Sequence, residues 1–161
     1  MGVEKLWKTV APLCQIVDFY TATTGQRVGE DGSVWLHALA AGDKDAAIDL
    51  LQDRPQFASL LRNFEARLQR VLDNGVTPVF VFDGTRPGAK SVEDVSRAAV
   101  RQAARAEALA LLRSGDRKRA EKSAVKAVQI PDGLLYLVVH KILRPRGIGT
   151  LFILCSIQAR Q

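Results

Sequence analysis

The spacing of apolar and polar positions divides the chain into alternating helices and strands. An i, i+4, i+7 rhythm over residues 57–72 predicts an amphipathic helix, which Asp73-Asn74-Gly75 ends. The unbroken apolar run 78–82 predicts a strand buried on both faces, as in a parallel sheet. An alanine-rich stretch, 91–112, predicts a long helix after it. This alternation predicts an α/β fold with a central, mostly parallel sheet flanked by helices.

The remaining segments fit the same plan. The pattern predicts a short helical or irregular opening at 6–17, a strand near 25–31 and buried or amphipathic helices at 34–40, 116–128 and 134–143. Gly29 and Glu30 interrupt the apolar positions of the first strand and are expected to weaken it. Asp83 directly follows the second strand, and ligands of parallel sheets bind at the carboxyl ends of strands. Asp83 is therefore a candidate site residue.

Composition indicates one domain with an acidic partner. The 161 residues leave no room for a second full domain, and 47% hydrophobic residues suffice for a core. The net charge of +6 favours a polyanion as partner. Residues 97–126 concentrate this charge, with nine basic and three acidic residues, although such helices are more often only solvated faces.

Targeting and redox signals are sparse. Cys14 and Cys155 lie far apart without a metal-ligand spacing, which argues against a disulfide framework or a zinc site. The N-terminus has no signal-peptide pattern. The longest apolar run, 148–157, is half of the roughly 20 residues needed to cross a bilayer. We expect a soluble, intracellular protein that does not enter membranes.

Several motifs together carry a family resemblance. They are Met1-Gly2-Val3, Asp31 followed six residues later by His37, Val79-Phe80-Val81-Phe82-Asp83-Gly84, and Lys90 seven residues before Arg97. As a set they resemble the N-terminal region of the flap endonuclease and XPG-type structure-specific 5′ nucleases, which have a PIN-like fold. Further segments, Arg101-Gln102-Ala103, Leu111-Leu112-Arg113 and Gly115, are most similar to the exonuclease one branch. The resemblance covers residues 1–148 as an N-terminal nuclease domain, with 149–161 as a divergent or truncated tail.

The resemblance implies roles for individual residues. It implies metal-binding carboxylates, catalytic cations that contact the scissile phosphate, an aromatic position that stacks on a base, and further DNA contacts. The metal-binding carboxylates are Asp31 and Asp83, and the catalytic cations are Lys90 and Arg97. The aromatic position is His37, and the further DNA contacts are Gly2, Arg101 and Arg105. Carboxylates are ligands that Mg²⁺ prefers, and two such ions can activate water and stabilise the leaving oxygen of a phosphodiester. A step of seven residues is nearly two helical turns, so the two cations would project from one helix face.

Each residue also has an ordinary structural interpretation. Asp83-Gly84 is a common ending of a strand, and Asp31 before Gly32 is a plausible turn residue or helix N-cap. His37 lies in an apolar stretch, where a buried, hydrogen-bonded histidine is common. The functional interpretation depends on all of these residues occurring together.

The chain departs from the family's pattern near its C-terminus. The family places an acidic cluster there, but Ser156 and Gln158 occupy those positions and no carboxylate follows Asp132. Neutral side chains do not hold Mg²⁺ as carboxylates do. We therefore expect the C-terminal part of the fold to be missing, and tight binding of two Mg²⁺ ions by this chain alone is not expected.

Two functions of different class follow. The first is a Mg²⁺-dependent 5′ nuclease, a 5′-3′ exonuclease or flap endonuclease, that acts on DNA with 5′ ends, flaps or nicks during repair in the nucleus. In that case this chain is incomplete or catalytically impaired. The second is a non-catalytic nucleic-acid-binding module that uses the basic helices within 97–126. A degenerate chain that folds poorly is a third, weaker hypothesis.

Overall fold

A computed structural model describes residues 10–52, 55–83 and 91–153, and in the last range it describes side chains from residue 95 onward. The predictions for Gly2, Lys90, Ser156 and Gln158 lie outside these residues. Within them, strands and helices alternate along the chain, which confirms the α/β fold.

The described residues form three strands and seven α-helices. The strands are β1 (Arg27–Asp31), β2 (Thr77–Asp83) and β3 (Gly149–Ile153). The helices are α1 (Phe19–Thr23), α2 (Gly32–Gly42), α3 (Lys44–Asp49), α4 (Ala58–Asp73), α5 (Ser91–Arg113), α6 (Arg117–Ala127) and α7 (Asp132–Leu137). Helix α7 continues as a π-helical segment, Val138–Leu143, and a 3₁₀ turn, Arg144–Arg146. A further 3₁₀ turn covers Ala11–Leu13.

The sheet is parallel and has the order β1-β2-β3. Helices α2 to α4 connect β1 to β2, and α5 to α7 connect β2 to β3, because parallel neighbours need long crossover connections. The predicted parallel sheet is confirmed. Strand β3 occupies the first part of the segment that the sequence analysis assigned to a tail, and the domain boundary at 148 stays a prediction.

The polar residues in β1 do not prevent the strand from forming. Glu30 points to the packed face of the sheet, but its carboxylate accepts a hydrogen bond from the indole nitrogen of Trp35 at 2.9 Å. The partly buried carboxylate therefore has a partner. A Cβ at Gly29 would have no atom within 4 Å, so this position is not under packing constraint.

The core lies on one face of the sheet. Phe80 of β2 has its ring centroid 4.9 Å from Trp35 of α2 and 5.4 Å from Phe64 of α4. Phe80 and Phe64 are fully buried, and Trp35 is 4% exposed. These aromatic contacts fix α2 and α4 against β2.

The opposite face of the sheet is more open than the sequence predicts. The unbroken apolar run predicts burial on both sides of β2, but Val79 and Val81 are only half-buried. Leu151 and Ile153 of β3, which lie on that same face, are 57% and 53% exposed. The prediction of two buried faces is wrong for this strand, because Phe80 and Phe82 on one face are buried whereas Val79 and Val81 on the other are only half-buried.

Among the described helices, none is long and apolar enough to span a bilayer.

Candidate active site

The parallel register places Asp31 and Asp83 at the same edge of the sheet. Asp31 is the last residue of β1 and pairs with Val81, two residues before the end of β2 at Asp83. Side chains two residues apart along a strand point to the same face, so both carboxylates lie on one face. Strand spacing and rise put their Cα atoms about 8 Å apart. Both residues are exposed, and the sheet therefore presents two carboxylates to solvent at its carboxyl edge.

Asp31 also begins helix α2. Its Oδ1 accepts a hydrogen bond from the backbone nitrogen of Val34 at 2.8 Å, which confirms the N-cap interpretation. A carboxylate has two oxygens and can accept at both, so capping does not exclude metal binding. This hydrogen bond holds the Asp31 carboxylate at the junction between β1 and α2.

A cavity of about 380 Å³ lies beside Asp83. Helix α2 contributes to its lining, α5 contributes an arginine, the segment between α6 and α7 adds an amide, and the first residue of α7 adds a carboxylate. The polar lining residues are Ser33, His37, Asp83, Arg101, Gln129 and Asp132. This cavity therefore combines both signs of charge at the carboxyl end of β2.

A second cavity, of about 430 Å³, lies between α2, α5 and α6. Its polar walls carry His37, Arg97, Arg101 and Lys126, whereas Val100 and Val125 provide apolar surface. The described residues that line it include no carboxylate. Three cations with apolar neighbours suit a phosphate joined to a less polar group, such as a nucleotide.

Arg101 is shared by the two cavities. Its Nε atom is buried and has no hydrogen-bond partner. A buried donor without a hydrogen-bond partner carries a free-energy cost. His37 also lines both cavities, and it is exposed rather than buried in the core.

Arg105 lines a third cavity, of about 520 Å³, together with Arg101, and it also contacts the turn after α3. Its Nη2 donates a hydrogen bond to the backbone oxygen of Leu51 at 2.7 Å. This carbonyl belongs to the turn that follows α3.

The donor set suits a weakly held cation but not a pair of ions. Asp31 and Asp83 supply hard oxygen ligands of the kind that Mg²⁺ prefers. Among the side chains of residues 10–52, 55–83 and 95–153, no three carboxylate, imidazole or thiol groups lie together so that they could hold a metal ion. The described residues therefore do not by themselves complete a metal site.

The structure brings some predicted site residues together and leaves others untested. Asp83, His37 and Arg101 share one cavity, and Arg97 joins the last two in the neighbouring cavity. The roles assigned to these residues, and to Gly2 and Lys90 outside the described ranges, stay predictions. Gln129 and Asp132 were not predicted beside Asp83, because they lie more than 40 residues further along the chain and no motif marks them.

Comparison with known proteins identifies a family and relatives of similar sequence. The XPG N-terminal domain family model matches residues 1–104. Flap endonuclease 1 of Drosophila grimshawi is 31% identical over 134 residues, which cover 81% of this chain and 34% of that protein. Flap endonuclease 1 of Cryptosporidium parvum is 30% identical over 108 residues, 66% of this chain and 22% of that protein. Flap endonuclease 1-A of Oryza sativa is 27% identical over 130 residues, 80% of this chain and 34% of that protein.

The chain therefore spans about a third or less of the length of the curated relatives it matches. The relatives support the predicted resemblance at the level of the family. The finer assignment to the exonuclease one branch stays a prediction.

Proposed function

The chain belongs to the XPG N-terminal domain family, and from this premise we propose that it supplies part of the active site of a Mg²⁺-dependent, structure-specific 5′ nuclease. The proposed substrate is DNA with 5′ ends, flaps or nicks, the proposed process is repair, and the proposed compartment is the nucleus. The printed names of the relatives, flap endonucleases, support the substrate class.

One observation carries the proposal. Parallel pairing brings Asp31 and Asp83 to one edge of the sheet, and Asp83 shares a cavity with His37 and Arg101. Carboxylates next to cations and an imidazole suit a site that holds a divalent ion and a phosphodiester together.

The chain's own residues would divide the work. Asp31 and Asp83 would hold a divalent ion, which when bound supplies water activation and stabilisation of the leaving oxygen. Arg97 and Arg101 would hold the phosphate and offset the negative charge that develops on it, with Lys90 as a further cation. His37 would stack on the base beside the scissile bond. The remaining carboxylates would come from a segment that corresponds to the rest of the relatives.

The experiment supplies that segment and removes one carboxylate. The chain is fused to the following part of the Drosophila grimshawi flap endonuclease and assayed with Mg²⁺ on flapped and 5′-recessed duplexes. We expect cleavage, its loss in Asp83→Asn, and unchanged DNA affinity, because an amide keeps the shape but not the charge. Asp73→Asn is the matched control, since Asp73 ends α4 far from the carboxyl edge of β2. Full cleavage by Asp83→Asn would refute the site assignment.

The alternative is a nucleic-acid-binding module without cleavage. The cavity lined by Arg97, Arg101 and Lys126 favours it, since phosphate binding there needs no metal. We expect DNA affinity of the unmodified chain to fall linearly with salt on logarithmic axes, because neutralised phosphates release counterions. Binding without cleavage by the fused protein would favour this module, and an affinity independent of salt would contradict it.

A further inference from the structure

Arg105 contacts the body of the domain. We propose that it is a positioning residue that fixes helix α5 against the turn after α3 and so holds Arg97 and Arg101 at their cavities. The inference rests on the proposed function for the meaning of that placement. Its structural part can be tested without DNA.

The acceptor of the Arg105 hydrogen bond is held firmly. Leu51 is 3% exposed, and its backbone nitrogen donates to the oxygen of Ile48 at 3.0 Å. The following residue, Gln52, donates to the oxygen of Asp49 at the same distance. Arg105 therefore donates its 2.7 Å hydrogen bond to a backbone oxygen in a turn that is itself held by hydrogen bonds.

Helix α5 packs mainly against α6, and Ser123 of α6 donates a hydrogen bond to the Glu107 carboxylate of α5 at 2.9 Å. Helix α5 is 23 residues long, yet among its described side chains only Ala104 and Ala108 are buried. Alanine methyl groups bury little apolar area and give correspondingly little stabilisation. The hydrogen bond from Arg105, which lies between these two alanines in sequence, adds a charged link from α5 to the turn after α3.

Helix α6 is joined to α3, the helix that precedes the Leu51 turn, by two ion pairs. Lys44 lies 3.3 Å from Glu121, and Arg117 forms an ion pair with Asp45, so that both pairs join α3 to α6. Helix α3 and its following turn therefore contact both arms of the basic hairpin formed by α5 and α6. Arg105 is the described polar link on the α5 arm.

The link acts on the phosphate-binding side of α5. Arg97, Arg101 and Arg105 follow one another at intervals of four residues, which places them on one broad side of the helix. Arg97 and Arg105 are about 12 Å apart along the axis. A small rotation or shift of α5 at Arg105 would therefore move both guanidiniums relative to His37 and Asp83.

The charge-retaining variant Arg105→Lys separates positioning from direct phosphate contact. Lysine keeps the positive charge but is shorter and lacks the planar guanidinium fork. We expect amide hydrogen exchange in the described part of α5 to become about tenfold faster in Arg105→Lys and in Arg105→Ala, without DNA present. Arg113→Ala removes the same charge from an exposed position on the same helix and should leave this exchange unchanged.

DNA affinity gives the second readout. If Arg105 acts through Arg97 and Arg101, Arg105→Ala weakens binding about fivefold in the wild type and has almost no effect in an Arg97→Ala/Arg101→Ala background. A direct phosphate contact would instead give equal losses in both backgrounds and near-normal binding by Arg105→Lys.

The outcomes separate the two claims. Unchanged exchange in both Arg105 variants, or equal losses in both backgrounds, would overturn the positioning role. Absence of DNA binding by the unmodified chain would count against the proposed function, while faster exchange in the variants would still support the link between α5 and Leu51.

Discussion

The strand-to-helix junction at Gly32 should not tolerate a side chain. A Cβ built at Gly32 would lie 2.1 Å from Cε1 and 2.5 Å from Cζ of Phe82, inside van der Waals contact. Phe82 is 1% exposed and stacks on Phe152 at 5.7 Å, so its ring has little room to move. Gly32 follows Asp31 and Phe82 precedes Asp83, which means that relief of the clash would shift the candidate site.

The expected cost follows from overpacking. Gly32→Ala should lower the free energy of unfolding by about 1–3 kcal/mol, even though alanine favours helix over glycine by less than about 1 kcal/mol. For a chain of this size the melting temperature should fall by about 2–12 °C. Thermal and urea unfolding, followed by circular dichroism, measure both quantities.

The matched control is in the same helix. A Cβ at Gly42, the last residue of α2, would meet no atom within 4 Å. Gly42→Ala should therefore be neutral or stabilise the fold by about 0.5 kcal/mol. Adding Phe82→Leu to Gly32→Ala should recover part of the loss that the clash causes. A melting temperature for Gly32→Ala equal to or above that of Gly42→Ala would refute the reasoning.

Other predictions concern a cap and the core. Hydrogen bonds from the backbone nitrogen and, less strongly, the hydroxyl of Thr21 hold the pKa of the Asp18 carboxyl below its usual value of 3.8. The Asp18 cap of α1 therefore stabilises the folded state fully above that usual value, and this stabilisation is lost as the pH falls through the lower pKa of the folded state. A pKa at or above 3.8 in an NMR titration would contradict this. Phe64→Ala should cost about 3–5 kcal/mol in urea unfolding, because the ring is fully buried. Glu65→Ala breaks a half-exposed pair with Arg146 and should cost less than about 1 kcal/mol; comparable losses in the two variants would be inconsistent with this core.

Helix α4, strand β2 and the parallel sheet were predictable because local patterns encode them. The helical rhythm of α4 and the apolar run of β2 are strong in the sequence alone. Strand β3 was not assigned as a strand of the sheet, because the apolar run that contains it does not indicate where it pairs. Burial of both faces of β2 was mispredicted, since apolarity alone does not tell which helices cover a sheet.

The candidate site was predictable only where short motifs mark it. Asp83 follows a strand signal, and the spacing of Lys90 and Arg97 is visible in the sequence. Long-range packing decides the rest. Asp132 lines the cavity beside Asp83 although it is distant in sequence, and the hydrogen-bond acceptor of Arg105 lies 54 residues earlier in the chain.

The proposed role of Asp31 and Asp83 is tested most directly by locating where a divalent cation binds. Mn²⁺ titrated into the isotopically labelled chain broadens the NMR signals of nearby nuclei even when binding is weak, and it can replace Mg²⁺ at oxygen sites. If the carboxyl edge of the sheet binds a divalent cation, broadening centres on Asp31 and Asp83 together and is relieved by excess Mg²⁺. Broadening centred elsewhere, or on only one of these two carboxylates, would contradict that role.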